Sequence, residues 1–522
     1  MKSNYLLRTA AILLIIITSC KEGKDRPNII FILTDDHTRQ AISAYGSVLD
    51  VTPNIDRLAE GGMLFENASV TNSICAPSRA VILTGKHSHI NGKIDNTAEN
   101  VFDSTQVTFP KILQSAGYQT AMIGKWHLRS QPTGFDFWRV LPGQGNYYNP
   151  EFITAGGQVR IEGYVTDIIT DLAISWLDSI DRNKPFLLMY QHKAPHREWE
   201  PAIRHMSEYL NKSFPEPETL FDNYKGRGTA AKEAEMSILE HMRLDGDTKI
   251  HPDILNELCI DPQNRQGFSA LTRLLNRYTP VQLEAWQEVY GPMNEEFKEK
   301  YPGMSEEDLM RFKYQRYMQD YLACCAAVDE NIGRLLDWLE EEDLDNNTII
   351  VYTSDQGFYL GEHGWFDKRF MYRESLGTPL IIKWPGKVDP GSRNRDLVQN
   401  LDFAQTFLEA AGIESPEEMQ GMSLVPLLTG KKSEWRDAIY YHYYEYPAVH
   451  MVKRHYGVMT ERYKLIHFYD DIDEWELYDM AEDPSEMNSV YDDPAYADVR
   501  EELKARLKEL REFYKDDTGV SF

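Results

Sequence analysis

Asn28-Ile29-Ile30-Phe31-Ile32-Leu33, running into Thr34-Asp35-Asp36, decides the fold. A short apolar run with no polar alternation reads as a strand covered on both faces, the state of strands in a parallel sheet flanked by helices. Thr348-Ile349-Ile350-Val351-Tyr352-Thr353 repeats the pattern and again leads into an acidic residue, Asp355. Between the two, Gln119 to Ile123 and Phe186 to Tyr190 read as further strands, and Asp56 to Gly61, Thr166 to Ile180 and Tyr317 to Glu341 as helices. The alternation predicts an α/β domain with a large mixed, mostly parallel sheet sandwiched by helices. In such sheets the site lies beyond the carboxyl ends of the strands, where both acidic segments fall.

The rhythm breaks in the middle and at both ends. Residues 200–310 are helical, charged and interrupted by Pro215, Pro217, Pro280, Pro292 and Pro302, which predicts a helical insertion within a catalytic domain spanning 28–394. Over 395–522, Tyr440 to Tyr446, Tyr456 to Met459, Tyr463 to Phe468 and Trp475 to Tyr478 read as a smaller antiparallel sheet, closed by a helix over Ala495 to Tyr514. At the start, Lys2 and Arg8 precede the apolar run Ala10 to Ile17. That run is too short to span a bilayer, so residues 1–20 read as a secretory signal peptide. Ile17-Thr18-Ser19-Cys20 resembles a bacterial lipobox. The resemblance implies a lipidated Cys20, a tether over 21–27, and a place on the bacterial cell envelope, periplasmic or on the cell surface, with the lipid as the only membrane contact.

The chain has 522 residues, 42% of them hydrophobic and 12% aromatic, enough for a large core with an appendage and unlike a disordered chain. Its formal net charge of -27 opposes binding to nucleic acid or an anionic membrane face. The same field repels sulfated polymers, so an anionic substrate must be gripped by a local cluster of cations. Cys75, Cys259, Cys324 and Cys325 form no disulfide framework, and the vicinal pair reads as small packing residues in a helix.

The chemistry centres on Ser73-Ile74-Cys75-Ala76-Pro77-Ser78-Arg79. Pro77 suits a first helical turn and Gly85 a stop, so Cys75 stands at a helix N-terminus, where free N–H groups and Arg79 favour an anion. Asp35-Asp36 and Asp355-Gln356 each follow a strand and can meet at one sheet edge, as an oxygen-only set suited to a hard cation, calcium before magnesium. Lys125 and His127 alternate on an extended segment.

Cys-x-Pro-Ser-Arg at 75–79 resembles the signature of type I sulfatases, of the alkaline phosphatase superfamily. Gly124-Lys125-Trp126-His127-Leu128 resembles their second signature, His192-Lys193-Ala194-Pro195-His196-Arg197 their Ala-Pro-His element, and Asp367-Lys368-Arg369 their later Lys element. The resemblance implies an alkaline-phosphatase-like fold and a sulfuric ester hydrolase. It implies that a maturation enzyme oxidises Cys75 to formylglycine, whose hydrated aldehyde attacks sulfur, and that Asp35, Asp36, Asp355, Gln356 and the converted Cys75 bind Ca2+. Arg79, Lys125 and Lys368 would neutralise the sulfuryl group. His196, with Lys368, would protonate the leaving sugar alcohol, and His127 would take the proton that releases sulfate. Departures are Arg129 where Gly is frequent, Arg373 where Glu is frequent, and Gln356 where Asn is frequent.

For substrate, His450, Lys453, Arg454 and His455, flanked by Tyr443, Tyr444 and Tyr446, combine donors with flat faces suited to a sugar ring. With His192 and Arg197 they predict an exo-acting carbohydrate sulfatase acting on a sulfated glycan, by resemblance on N-acetylglucosamine 6-sulfate. Sulfated rhamnose of ulvan or another algal glycan is the alternative sugar. A formylglycine-dependent phosphonate or phosphate ester hydrolase, and a non-catalytic glycan-binding lipoprotein with Cys75 unconverted, are the alternative functions.

Overall fold

Ile29, Phe31 and Leu33 point to one side of the central sheet and Ile30 and Ile32 to the other, and all five are fully buried. A computed structural model of the chain describes residues 26–49, 52–261, 269–431 and 434–519. The expected signal peptide, Cys20 and nearly all of the tether lie outside them. Among the described residues no helix is long and apolar enough to cross a membrane.

The sheet comprises β1 (Asn28–Thr34), β2 (Met63–Phe65), β3 (Gln119–Lys125), β4 (Phe137–Leu141), β5 (Glu151–Thr154), β6 (Gly157–Arg160), β7 (Phe186–Gln191), β8 (Thr348–Ser354), β9 (Leu380–Lys383) and β10 (Ser392–Asn394). Their spatial order is β10-β2-β9-β8-β1-β7-β3-β4-β5-β6. The centre, β8-β1-β7-β3-β4, is parallel, and β9 and β5 run against it. Helix α1 (Pro53–Glu60) packs on one face, α2 (Cys75–Thr84) and α3 (Phe109–Ser115) on the other, α4 (Val165–Asp178) and α5 (Glu306–Glu341) on the first again, and α6 (Phe403–Ala410) on the second. Apolar strands therefore have cover on both faces, as their composition requires.

Helix α5 starts well before the expected Tyr317. Ser305 caps it, its hydroxyl accepting from the Asp308 N–H while the Asp308 carboxylate accepts from the Ser305 N–H. Its first turns bury Met310, Tyr314 and Tyr317 at helical spacing, a stripe interrupted in sequence by Lys313, Arg316, Gln319 and Asp320, which are buried with them against polar partners. Lys313, for instance, donates to the carbonyls of Leu239 and Met242 in the insertion.

The expected boundary at 394 also moves. Val398, Phe403, Phe407 and Leu408 share a core with Phe31, so the segment after 395 covers the large sheet. The small sheet begins later, with β11 (Ala438–Tyr443), β12 (His455–Thr460), β13 (Tyr463–Phe468) and β14 (Glu474–Asp479) in an antiparallel meander. Helix α7 (Ala497–Tyr514) lays Leu503, Leu507 and Leu510 against it.

Candidate active site

β1 and β8 are neighbours in register, Thr34 beside Ser354, so the residues that follow them emerge together at one sheet edge. Ligand oxygens of Asp35, Asp36 and Asp355 lie within 4.8 Å of one another, and all three residues are buried. Helix α2 begins here. Ile74 precedes it in extended conformation, Gly85 ends it in the left-handed region at φ 61°, and Ser78 donates to the Asp355 carbonyl, fixing the helix start against the end of β8. Cys75 Sγ is 3.4 Å from Asp35 Oδ1 and 3.7 Å from Gln356 Nε2. With His196, Asp35 and Cys75 form a second convergent triplet within 4.8 Å.

Cations surround these acids. Arg79 donates from Nε to Asp355 at 2.9 Å, and from Nη1 to the Lys125 carbonyl at 2.6 Å and Gln191 Oε1 at 2.8 Å. Its Nη2 lies 2.8 Å from Asp355 and 3.4 Å from Asp35. Every arm of the guanidinium is held by protein, which ties the acids to β3 through Arg79. Lys125 Nζ contacts Asp35 and Gln144, and Lys368 Nζ bridges both oxygens of Asp36 at 2.6 and 2.7 Å. His196 Nε2 is 3.9 Å from Asp36, while Nδ1 meets the Arg197 carbonyl. That contact makes Nδ1 the N–H and leaves Nε2 open toward the site. His127 is buried, in the left-handed region at φ 58°, and its Nδ1 has no hydrogen-bond partner.

Burial sets the protonation states. It pushes the Cys75 thiol up to about 12, Asp355 and Asp36 adding to the effect while Lys368 and Arg79 oppose it, so the helix N-terminus does not make a thiolate here. Burial and then Lys125 hold both His127 and His196 well below the usual imidazole range. For Lys368, burial is outweighed by Asp36, Cys75 and Asp355, which keep the ammonium charged. Asp36 is raised by burial and by Asp355, in spite of Lys368.

The donor set fits a hard cation. Three buried carboxylates converge, Gln356 Nε2 is already bound to Asp36 at 2.6 Å, and the buried Gln356 Oε1 is left with no donor. An all-oxygen shell with a free carbonyl-type oxygen is what calcium or magnesium requires.

The expected sugar contacts divide. A cavity of about 1450 Å³ opens beside His196, lined by Gln144, Lys193, Arg197 and His450 among others. His450 reaches it from the C-terminal part, held by the Glu235 carbonyl at 2.7 Å and Asp367 at 3.2 Å. His192 does not reach it. Its ring is fully buried on the α4/α5 side, edge-on to Tyr190 at 4.3 Å, with neither nitrogen hydrogen-bonded, and burial pushes it down to about 3. His455 is also a core residue, accepting from the Met371 N–H at 3.1 Å among the rings of Phe370, Tyr441, Tyr443 and Phe468. Arg454 is spent on the Tyr444 carbonyl at 2.8 Å, the Tyr446 carbonyl and Asp470. Sequence reasoning missed Gln144 and Gln191. Gln191, the last residue of β7, carried the same end-of-strand signal as Asp35.

The sulfatase family model matches residues 27–413, and that of the N-sulphoglucosamine sulphohydrolase C-terminal region matches 361–513. The chain belongs to the sulfatase family. It is 50% identical to the N-acetylglucosamine-6-O-sulfatase of Bacteroides thetaiotaomicron, over 99% of this chain and 92% of that one. It is 27% identical to human N-acetylglucosamine-6-sulfatase, over 83% of this chain and 71% of the human one. A solved sulfatase in complex with D-glucosamine-2-N,6-O-disulfate superposes with a TM-score of 0.90 at 51% identity, covering 94% of this chain and 99% of its own. A phosphonate monoester hydrolase of Agrobacterium radiobacter shares the fold, at a TM-score of 0.63 and 20% identity. This sulfatase is a sulfuric ester hydrolase, with carbohydrate sulfatases as its near relatives.

Proposed function

We propose that this sulfatase removes the 6-O-sulfate of an N-acetylglucosamine-type sugar at a chain end. The observation that carries the reading is the buried cluster of acids and cations around Cys75, set beside a cavity walled by the insertion and by His450. Its 50% identity over nearly the whole chain to an N-acetylglucosamine-6-O-sulfatase supports the sugar. When present, formylglycine at position 75 supplies a nucleophilic oxygen, and calcium held by Asp35, Asp36, Asp355 and Gln356 supplies charge against the sulfate oxygens. Lys368 offers positive charge where the transferred group gains negative charge, and Lys125, held well below its usual range by burial, joins it when an arriving anion favours its protonated form. His196, whose Nε2 is open toward the site, would protonate the leaving alcohol, and an arriving sulfate favours its protonated form. Arg79 keeps Asp35, Asp355 and Lys125 in register.

The test is sulfate release from N-acetylglucosamine 6-sulfate, beside sulfated ulvan oligosaccharides and a phosphonate monoester. Turnover confined to the first supports the assignment, and a preference for either of the others overturns it. Cys75→Ala protein should fold and be inactive, and mass spectrometry of the wild-type peptide should show the converted residue. Chelation should abolish activity and lower Tm until calcium is restored, because a ion bound only by the folded state stabilises it by mass action. Bound zinc in place of calcium would refute the cation. For location, Cys20→Ala should move the protein from membrane to soluble fractions; an unchanged membrane fraction counts against a lipid anchor.

A further inference from the structure

The cavity beside His196 is larger than one sugar needs, about 1450 Å³ against the roughly 300–1,000 Å³ usual for small-molecule sites. One wall, built by the insertion, carries a row in which three guanidiniums alternate with two carboxylates. Arg197, next to His196, donates to Asp247 at 3.3 and 2.6 Å and lies 4.7 Å over the Phe366 ring. Arg243 Nε stands 3.9 Å from the same Asp247, and its Nη2 contacts Glu198. Arg273 reaches the other oxygen of Glu198 at 2.8 Å. Asp245 adds a third carboxylate beside Arg243, so the three guanidiniums are matched three to three, and what the row offers an anion is donors rather than net charge.

Exposure rises along it: the side chains of Arg197, Arg243 and Arg273 are 17%, 30% and 58% exposed. Arg243 Nε–H has no hydrogen-bond partner. Asp247, which anchors the inner end, is fully buried, whereas Glu198 is shared by two guanidiniums at the cavity wall. Glu200, Glu235, Glu240 and Asp261 also line the cavity, and Lys193 is its other cation, so the guanidinium donors are concentrated in the arginine row. Guanidinium donors gathered on one wall orient an anionic ligand that can accept from them.

We propose that Arg243 and Arg273 form a second anion subsite, which binds a further anionic group on, or directly attached to, the sugar whose 6-sulfate enters the buried centre. The group is a sulfamate on that sugar or the carboxylate of an adjoining uronate. Both present two oxygens to a guanidinium pair, and either can take over the donors now pooled on Glu198. The inference rests on the 6-sulfatase reading above and adds the requirement for a second charge. A solved relative holding a glucosamine with sulfate at both N2 and O6 shows that such a ligand exists for this fold.

The experiment measures kcat/KM for glucosamine 2-N,6-O-disulfate and for a 6-sulfated N-acetylglucosamine joined to a uronate, each as a ratio to N-acetylglucosamine 6-sulfate. Arg273→Ala, on a mostly exposed side chain that the fold can lose, should lower one of these ratios about 10-fold, through KM, the measure of a charge-assisted hydrogen bond. Arg243→Ala should do the same, and Arg273→Lys should recover part of the loss. The ratio that falls identifies the anion; two unchanged ratios overturn the subsite. If the wild type hydrolyses no 6-sulfated sugar, the 6-sulfatase reading fails by itself. Calorimetric titration of Cys75→Ala protein with the disulfate and the uronate-linked sugar, with and without Arg273→Ala, then reads the subsite directly. Weaker binding on substitution supports it, and equal binding refutes it.

Discussion

Gly124 sits on β3 beside Gln191 of β7, at φ 110°, one residue before Lys125. A Cβ at this position would lie 1.8 Å from the Gln191 carbonyl oxygen and 2.8 Å from its carbonyl carbon, where real Cβ atoms stay beyond 3.0 Å. Gly124→Ala must therefore part β3 and β7 by about 1 Å, since backbone on both sides leaves no flexible side chain to yield. The strained φ adds ~1–3 kcal/mol and the overpacking ~1–3 kcal/mol of destabilisation. The larger effect is on turnover. Lys125 follows the glycine, and Gln191 braces Arg79, so both cations that hold Asp35 shift together. A displacement of that size in a preorganised site costs about 100-fold in kcat, or about 2.7 kcal/mol of barrier. The control is Gly117→Ala, at φ 92° with nothing within 4 Å of the added methyl, which should lose stability through backbone strain alone and keep its kcat. Steady-state sulfate release and thermal melting of both variants decide the matter. A folded Gly124→Ala enzyme with kcat within about threefold of wild type would refute the coupling of strand spacing to the cations.

Two further outcomes concern stability. Burial pushes the Glu200 carboxyl up to about 7, against the opposing pull of Lys249, Tyr278 and Lys193. The folded state thus keeps a proton that the unfolded chain has released from about pH 4.5 upward, so this group's contribution declines as pH rises to 7, by up to about 3 kcal/mol. Glu200→Gln should melt higher than wild type at pH 8 and level with it near pH 4.5, and a gap that does not open with pH would count against the assignment. Arg436 binds Asp402 through both guanidinium arms at 2.8 and 2.5 Å with almost no exposure, joining the cover of the large sheet to the start of the small one. Arg436→Ala leaves a buried carboxylate and should cost about 3–5 kcal/mol in chemical denaturation, with Arg436→Lys intermediate because it keeps the charge and loses the fork.

The sequence showed the sheet and its acidic edge because both depend on local pattern. An apolar run long enough for one strand must be covered twice, and whatever follows it lies at the carboxyl edge. What escaped it depends on orientation and on partners distant in the chain. His192 belongs to a motif yet shares strand parity with Tyr190, which faces the helices; that parity was a readable signal. His455 and the tyrosines beside it looked like a sugar platform because aromatic and basic residues have the same composition in a cavity and in a sheet core. The first turns of helix α5 did carry a stripe, Met310, Tyr314 and Tyr317, but buried charged residues between them masked it, and Gln144 meets Lys125 from a loop with no motif of its own.

Cys75 is 1% exposed, and its surroundings close only when β8 and Gln356 come to rest against β1 and Asp35. In the folded enzyme no other protein can touch that sulfur. Under the proposed conversion, a modifying enzyme has to catch the 73–79 segment as loose chain, before the distant half of the polypeptide has settled on it. The timetable of biosynthesis then sets the yield of competent molecules. Copies that fold first are sealed with an inert thiol, and no later exposure to the modifying enzyme recovers them without unfolding.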